Sequence, residues 1–302
     1  MTTTDPPPAG WTLIGLSWDG GGPALVATRG GDERSLDLAP GTDLRIRLSG
    51  PRGCVGVWDP ASDRRVACPA SVAPEGTDAQ CARCAARDLG RALARDAHTD
   101  DRDYVLYLAY FGPGLFKVGL TAAARGVLRL LEQGALTYTL LARGPLSVIR
   151  AAERAVAAGG FAKERLRLPT KTAAWWRLDP AEERRSAVRE LRRSIEDAGL
   201  LANAEVLDRQ VHDNVARFAL DRPVPDSYDV LTGLDDPADL AVRIRAVPGR
   251  VLLADDAERG SGLLIDVRLL AGWLVAPAEG PTGGLGVRPR SRPRGDGQIG
   301  LF

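Results

Sequence analysis

The stretch YVLYLAYFGPGLFKVGL, residues 104–120, decides the fold of the middle of this chain. Two apolar runs of strand length, residues 104–111 and 115–120, flank a Gly-Pro-Gly tripeptide. Glycine and proline mark turns, because glycine tolerates positive φ angles and proline fixes its own φ. The segment therefore predicts a β-hairpin, and the neighbouring elements can be placed outward from it.

Capping and turn residues beyond the hairpin predict an alternation of helices and a strand. The pattern gives a helix over 121–133, a strand over 137–141, a helix over 145–158 and a charged helix over 180–198, with helical structure continuing through 215. The second of these helices carries an apolar stripe made of Leu146, Ile149, Ala152 and Val156. The middle of the chain is therefore predicted to be α+β.

Both ends of the chain are rich in predicted strands. Between residues 11 and 48, and again between 241 and 275, short apolar runs alternate with turn residues. Leucine and isoleucine at 44, 46 and 48 alternate with arginine, which is the period of a half-buried strand. We expect the two ends to meet in one small sheet or barrel.

Composition and charge exclude several classes of protein. The chain has 302 residues, of which 44% are hydrophobic and 26% charged, as in ordinary globular proteins. It contains no apolar run long enough for a membrane-spanning helix and begins without a secretory signal, so we expect a cytoplasmic protein with no membrane partner. The 40 basic and 39 acidic residues give a net charge of +1. Any nucleic-acid binding must therefore come from a local patch.

Four cysteines fall within one short window and none lies elsewhere; they are Cys54, Cys68, Cys81 and Cys84. Four thiolates are the ligand set of a closed tetrahedral Zn²⁺ site, which has no open position and is structural. The last two cysteines have the two-residue gap of a zinc knuckle, whereas the first pair is unusually far apart. The alternatives are buried structural thiols, or a redox pair with two bystanders. Structural Zn²⁺ is the favoured interpretation.

A basic segment follows the second predicted helix. Residues 163–193 contain ten Lys or Arg against five Asp or Glu, with Trp175 and Trp176 among them. This combination is one way to contact phosphates and stack an unpaired base. The other interpretation, which we favour, is that one tryptophan lies in the core and the other is half-buried, and that the charges form a solvated helix face.

Two short motifs in the hairpin resemble the paired motifs of the GIY-YIG nuclease superfamily. Val105-Leu106-Tyr107 corresponds to the first motif and Lys117-Val118-Gly119 to the second. The predicted order of hairpin, helix, strand and helix is also similar to the core of that superfamily. The resemblance implies a three-stranded antiparallel sheet with helices.

The resemblance also implies a set of site residues. Tyr107 would activate or position water, Arg129 would hold phosphate, and Glu153 on the next helix would bind catalytic Mg²⁺ or Mn²⁺. Lys117 stands where the superfamily has a tyrosine, and is either a base or a second phosphate contact. Gln133 stands where a histidine or tyrosine is common. Further candidates for substrate binding are Gly119, Thr121, Arg125, Trp175 and Trp176.

Each of these residues also has a structural reading. Arg129 fits a solvated helix position, Glu153 fits a surface ion cluster with Arg150 and Arg154, and Tyr107 fits a core position. The motif around Lys117 and Arg129, together with the cysteine module, is similar to an uncharacterised bacterial family that joins four cysteines to a GIY-YIG-like core. That similarity spans roughly residues 10–278 and supplies no function of its own.

The sequence therefore predicts an α+β protein with a GIY-YIG-like core, a zinc-cysteine module and β-rich ends. The predicted segments are a disordered N-terminus (1–10), a β-rich segment (11–53), the cysteine module (54–90), the GIY-YIG-like domain with following helices (100–215), a β-rich segment packing with the N-terminal strands (216–278) and a disordered basic tail (279–302). The favoured function is a metal-dependent nucleic-acid phosphodiesterase. The alternatives are a zinc-containing nucleic-acid-binding protein without turnover, and an enzyme acting on a small phosphorylated or other metabolite. The sequence does not fix an oligomeric state.

Overall fold

The computed structural model describes residues 2–3, 10–19, 21–59, 61–62, 64–94 and 101–293. The strands in chain order are β1 (Thr2–Thr3), β2 (Trp11–Ser17), β3 (Ala24–Arg29), β4 (Asp32–Asp37), β5 (Asp43–Ser49), β6 (Val57–Asp59), β7 (Arg64–Val66), β8 (Asp103–Tyr110), β9 (Phe116–Ala122), β10 (Thr137–Pro145), β11 (Glu205–Val206), β12 (His212–Asp213), β13 (Ser227–Ala246), β14 (Val251–Asp256), β15 (Ser261–Asp266), β16 (Leu274–Pro277) and β17 (Gly283–Ser291). The helices are α1 (Ala82–Arg87), α2 (Leu89–Ala94), α3 (Leu128–Gln133), α4 (Leu146–Ala158), α5 (Leu168–Ala174) and α6 (Ala181–Asp197). Short 3-10 turns lie at Ala123–Arg125, Trp175–Arg177 and Val267–Leu269. The protein is α+β, as predicted, and its sheets are mostly antiparallel.

The largest sheet is built from both ends of the chain. Its strand order is β1-β4-β3-β2-β16-β5-β13-β14-β15, with β17 paired to β13. Strand β16 lies between β2 and β5, so the N-terminal and C-terminal strands alternate in space. In β5 the leucine and isoleucine side chains are buried and the two arginines between them are exposed, because alternate residues face opposite sides of a strand.

Strand β13 organises the C-terminal half of this sheet. Residues 238–246 of this strand pair with β5 and β14. Residues 227–239 pair with β17, and residues 228–230 also pair in parallel with β15. Strands β14 and β15 also pair with each other, so β13, β14 and β15 each pair with the other two.

The predicted tails need correction where the structure describes them. Residues 283–291 of the predicted disordered tail form β17, whose ladder along β13 supplies the partners that their Gly- and Arg-rich sequence cannot supply locally. Residues 2–3 form β1, which pairs with β4. Residues 1, 4–9 and 294–302 lie outside the described residues.

The middle sheet contains the predicted hairpin. Its order is β11-β10-β8-β9 with β12 also on β10, and all its pairings are antiparallel. Helix α4 packs against β8, β9 and β10, and its four predicted stripe residues are its buried residues. Helix α6 packs against β8 and β10.

Two predicted helical segments are wrong. The helix predicted from residue 121 begins only at Leu128, because Thr121 and Ala122 are buried and pair with β8 as the end of β9. Gly134 does end this helix, with φ 69° and ψ 39°. The helical continuation predicted through 215 is replaced by β11 and β12, since tertiary pairing with β10 supplies their backbone hydrogen bonds.

The middle sheet and the large sheet share one hydrophobic core. Trp18 joins them, because its ring packs edge-on against Phe218 at 5.4 Å and its Nε1 donates to Gly249 O at 3.0 Å. A smaller cluster lies on the other face of the middle sheet and contains Tyr107 and Phe111. Among the described residues, no helix has the length and apolar character needed to cross a membrane.

Candidate functional site

The β8–β9 hairpin places Tyr107 directly opposite Gly119. Lys117 lies two residues before Gly119, so both are on the strand face that Tyr107 shares. A β-carbon on Gly119 would lie 2.3 Å from Tyr107 Oη and 2.6 Å from Lys117 Nζ. Position 119 therefore needs a glycine, because the space above it is filled by two polar side chains.

Tyr107 Oη accepts hydrogen bonds from two side chains. Gln133 Nε2 donates to it at 2.7 Å, and Lys117 Nζ donates at 3.3 Å. The Lys117 ammonium is held further by Val118 O at 3.0 Å. Tyr107 is only 1% exposed, whereas Lys117 and Gln133 are half-buried. The structure thus brings together three of the predicted catalytic residues.

Glu153 stands apart from this triad of side chains. It lies on α4, which packs on the opposite face of the middle sheet, and it is half-buried. Burial raises the pKa of its carboxyl, and the neighbouring Glu164 raises it further, while the positive charge of Lys117 lowers it. Glu153 is therefore within electrostatic reach of Lys117. No hydrogen bond joins it to Tyr107, Lys117 or Gln133 among the described residues.

The predicted arginines sit at the start of α3 and just before it. Arg129 Nη1 lies 3.5 Å from Glu132 Oε2, and Arg125 also forms an ion pair with Glu132. Their side chains are 38% and 50% exposed, so both remain open to solvent. Thr121 is buried in the β8–β9 ladder opposite Val105.

Trp175 and Trp176 do not form a surface platform. Each is 6% exposed, and Trp176 stacks on Tyr228 with its Nε1 donating to Pro225 O at 2.8 Å. The base-stacking role is therefore corrected, because burial removes both rings from the surface; the favoured interpretation had one tryptophan in the core and the other half-buried, and the structure buries both.

Three cationic residues that the sequence did not single out act electrostatically near this site; they are Lys171, Arg250 and Arg268. Burial lowers the pKa of Lys171 to about 7, and the positive charges of Lys117, Arg250, Arg129 and Arg268 lower it in the same direction. Lys171 lies in the basic segment already noted, but nothing in its spacing distinguishes it from nine other basic residues. Arg250 and Arg268 are distant in sequence, so only the fold reveals them.

The four cysteines converge in the module formed by β6, β7 and α1. All four Sγ atoms lie within 4.8 Å of one another, and none forms a disulfide. Cys68 and Cys81 have their Sγ atoms 3.8 Å apart, well beyond the S–S bond of about 2.05 Å. Two thiolates about 2.3 Å from a tetrahedral Zn²⁺ are about 3.8 Å apart. The cluster can therefore hold a metal ion such as zinc.

The surroundings of these thiols differ. The backbone N–H groups of Cys81 and Gly56 donate to Cys54 Sγ at 3.2 and 3.4 Å. The amide of Ala70 and the Arg83 guanidinium lower the pKa of Cys68 to about 6. Burial raises the pKa of Cys84 to about 12. Amide donors of this kind stabilise thiolate sulfur, which is the form that binds metal.

Comparison with known proteins gives a family but no activity. The profile of one family, described as protein of unknown function (DUF2797), matches residues 41–275. The chain belongs to the DUF2797 family. The DUF2797 match includes the cysteine module, the middle sheet and most of the C-terminal strands, while β1 to β4 and β17 lie outside it. No curated protein and no solved structure matches the chain.

Proposed function

We propose that this DUF2797 protein is a metal-dependent nucleic-acid phosphodiesterase with a GIY-YIG-like core. The observation that carries the proposal is the convergence of Lys117 Nζ and Gln133 Nε2 on Tyr107 Oη, across the hairpin whose motifs resemble the GIY-YIG pair. A phenol, an ammonium and an amide placed together above a glycine are the kind of preorganised polar groups that phosphoryl chemistry uses.

The topology of the middle sheet supports the same proposal. Strand β8 lies between β9 and β10, and α3 connects β9 to β10 before α4 follows. This is the hairpin, helix, strand and helix order that the motif resemblance implies. The short α3 places Gln133 at its last turn, where its side chain reaches Tyr107.

Hydrolysis requires water to attack phosphorus, the ester P–O bond to break, and, in the net reaction, one proton to pass from the attacking water to the leaving oxygen. Tyr107 would orient the attacking water through its hydroxyl, and Gln133 would fix the direction of that hydroxyl. Lys117 would neutralise charge on the phosphate, and Arg129 would hold a phosphate oxygen pair with its planar guanidinium. Glu132, which pairs with Arg129, would be displaced from it by the substrate.

Glu153 fits a divalent metal in this scheme. Mg²⁺ is usually held by one or two carboxylates together with substrate phosphates, and Glu153 has Glu164 as an electrostatic neighbour. A bound Mg²⁺ or Mn²⁺ would stabilise charge on the phosphate. The half-buried position of Glu153 would keep its carboxylate aimed rather than freely hydrated.

The four-cysteine cluster is proposed to bind structural Zn²⁺. The 3.8 Å separation of the Cys68 and Cys81 sulfurs supports this, as do the amide donors to Cys54. Arg52, two residues before Cys54, donates to backbone carbonyls of the loop at 73–76 and to Arg268 O. The cluster therefore stabilises a module that is tied to the C-terminal strands.

A second candidate function is nucleic-acid binding without turnover. It is favoured by the burial of Tyr107, which leaves the phenol 1% exposed, and by a lysine in place of the second tyrosine. In that case the same groups would hold phosphate without activating water.

The two functions are separated by a cleavage assay with labelled single-stranded, branched and duplex DNA and RNA in Mg²⁺ or Mn²⁺. The wild type is compared with Arg129→Ala and Glu153→Gln, and with Arg189→Ala on the exposed face of α6 as a matched control. Cleavage lost in both site variants and kept in the control supports the phosphodiesterase. Binding without cleavage, weakened by Arg129→Ala, favours the second candidate. If the wild type neither cleaves nor binds any of these nucleic acids, nucleic acid is excluded as the substrate class, and phosphorylated metabolites are screened next.

A further inference from the structure

Lys171 and Tyr107 both form a hydrogen bond with Gln133. Its Nζ donates to Gln133 O at 2.9 Å and lies 3.8 Å from the centre of the Phe111 ring. Gln133 therefore connects the two residues, with its carbonyl on Lys171 and its side chain on Tyr107. An ammonium has three protons to donate, and among the described residues Gln133 O is the only acceptor that Lys171 Nζ reaches.

The turn between β13 and β14 places an arginine beside the end of α3. A β-carbon on Gly249 would lie 2.6 Å from Gly134 N and 2.8 Å from Glu132 O, so the β13–β14 turn abuts the end of α3. Arg250 follows at once as the last residue of the turn before β14, and it is exposed. Its backbone carbonyl accepts a hydrogen bond from Val267 N at 3.0 Å, which fixes the position of the backbone.

The charges at this junction are not balanced. Among the described residues no carboxylate lies within ion-pair distance of Lys117, Lys171 or Arg250, whereas Arg129 and Arg268 have Glu132 and Asp266. Burial is the main cause that lowers the pKa of both Lys171 and Arg250, and repulsion from neighbouring cations lowers it further, while Asp266 and Glu132 raise that of Arg250. Positive charges that lie close together without an ion-pair partner are costly where burial removes water, unless an anion binds between them.

We propose that Lys171 and Arg250, together with Arg129, form a phosphate subsite next to Tyr107. This deepens the proposed function and rests on it for the class of ligand: the subsite would take a second phosphate group of the same polyanion, adjacent to the one held at Tyr107. The subsite is assembled only in the folded chain, because its three residues come from α3, α5 and the β13–β14 turn.

A phosphate group fits this arrangement. Arg250 and Arg129 each offer a planar fork that can bond two phosphate oxygens, and Lys171 adds a point charge. The Phe111 ring beneath Lys171 excludes water on one side and so strengthens the attraction of the ammonium for an anion.

The test measures pyrophosphate binding by calorimetry, below pH 7, so that Lys171 carries its proton. We expect Lys171→Met and Arg250→Met each to weaken pyrophosphate binding by about tenfold or more, since each removes a charge-assisted hydrogen bond. Arg243→Met serves as the matched control, because Arg243 is exposed on β13 and pairs only with Asp43. Lys171→Met should fold at least as stably as wild type, because it removes a desolvated charge.

A second probe separates this proposal from the proposed function. With a single-stranded oligonucleotide, each variant should lower the slope of log affinity against log salt by about 0.7, the value for one phosphate contact. Pyrophosphate binding that depends on both residues, in a protein that neither binds nor cuts nucleic acid, would keep the subsite and reject the nucleic-acid phosphodiesterase. No pyrophosphate binding, or equal binding by all four proteins, would overturn the subsite.

Discussion

Tyr107 and Gly119 face each other across the β8–β9 hairpin so closely that a β-carbon on Gly119 would lie 2.3 Å from the tyrosine oxygen. Glycine at position 119 therefore leaves the space that the Tyr107 phenol occupies. The same gap admits the Lys117 ammonium, so one missing side chain creates the space for the whole polar group.

Replacing Gly119 with alanine should displace Tyr107. We expect Gly119→Ala to destabilise the fold by about 1–3 kcal/mol, the usual cost of overpacking, and to reduce oligonucleotide affinity or cleavage. Urea unfolding and the nucleic-acid assay measure the two effects. Gly283→Ala is the matched control, because a β-carbon there meets nothing within 4 Å. Equal behaviour of the two variants would show that the contact with Tyr107 is unimportant.

Removing metal should loosen the cysteine module. We expect one equivalent of zinc in purified protein, and a lower melting temperature after chelation, because the four sulfurs would then repel one another as thiolates or need protons. Cys84→Ser should reduce the zinc content, whereas Ser71→Ala in the same module should keep it. Elemental analysis and thermal unfolding are the measurements. A content well below one equivalent in the wild type would refute the zinc proposal.

Arg184 holds the end of the middle sheet through a buried ion pair. Its Nε and Nη2 donate to the two carboxylate oxygens of Asp213, both at 2.9 Å, and the side chains are 6% and 9% exposed. Arg184→Met leaves the Asp213 charge buried and unpaired, which should cost about 3–5 kcal/mol. Arg185→Met, exposed on the same helix, should change stability little. Chemical denaturation of both variants measures the two losses of stability. A loss for Arg184→Met no greater than that for Arg185→Met would contradict the prediction.

Phosphate binding should depend on pH through Lys171. Its pKa is about 7 in the free protein, below the ordinary value of 10.5, and a bound anion raises it again. Binding above pH 7 therefore takes up a proton, and affinity falls by up to about tenfold per pH unit. The other charged groups that act on Lys171 are Lys117, Arg129, Arg250 and Arg268.

Lys171→Arg is the control for that pH dependence. An arginine keeps its proton, so this variant should bind pyrophosphate with the pH profile of the ligand alone. Calorimetry in buffers of different ionisation enthalpy measures the proton uptake directly. The same uptake in wild type and in Lys171→Arg would assign the titration to another group.

The sequence predicted those parts of the fold whose pattern is local. Turn residues gave the hairpin, Gly134 gave the end of α3, and the stripe from Leu146 to Val156 gave the buried face of α4. The period-two pattern of β5 likewise matched its burial. Local pattern failed where distant pairing decides, as in β17, whose Gly- and Arg-rich sequence is ordered by β13.

The residues of the candidate site also divide into those that local sequence spacing groups and those that only the fold brings together. Tyr107, Lys117 and Gln133 are joined by contacts within one hairpin and the following helix, so motif spacing was enough to group them. Lys171 and Arg250 reach this place only through the packing of α5 and of the β13–β14 turn. Their arrival depends on backbone contacts such as that between Gly134 and Gly249, which no spacing in the sequence records.

The most direct test of the central claim is the cleavage rate of Tyr107→Phe. This substitution keeps the ring that packs in the small core and removes only the hydroxyl that accepts from Lys117 and Gln133. We predict that the wild type cuts nucleic acid in Mg²⁺ or Mn²⁺ and that Tyr107→Phe, equally folded, is slower by about 10²-fold, because the attacking water loses the hydroxyl that orients it. Cleavage at the wild-type rate by Tyr107→Phe, or no cleavage by the wild type, would contradict it.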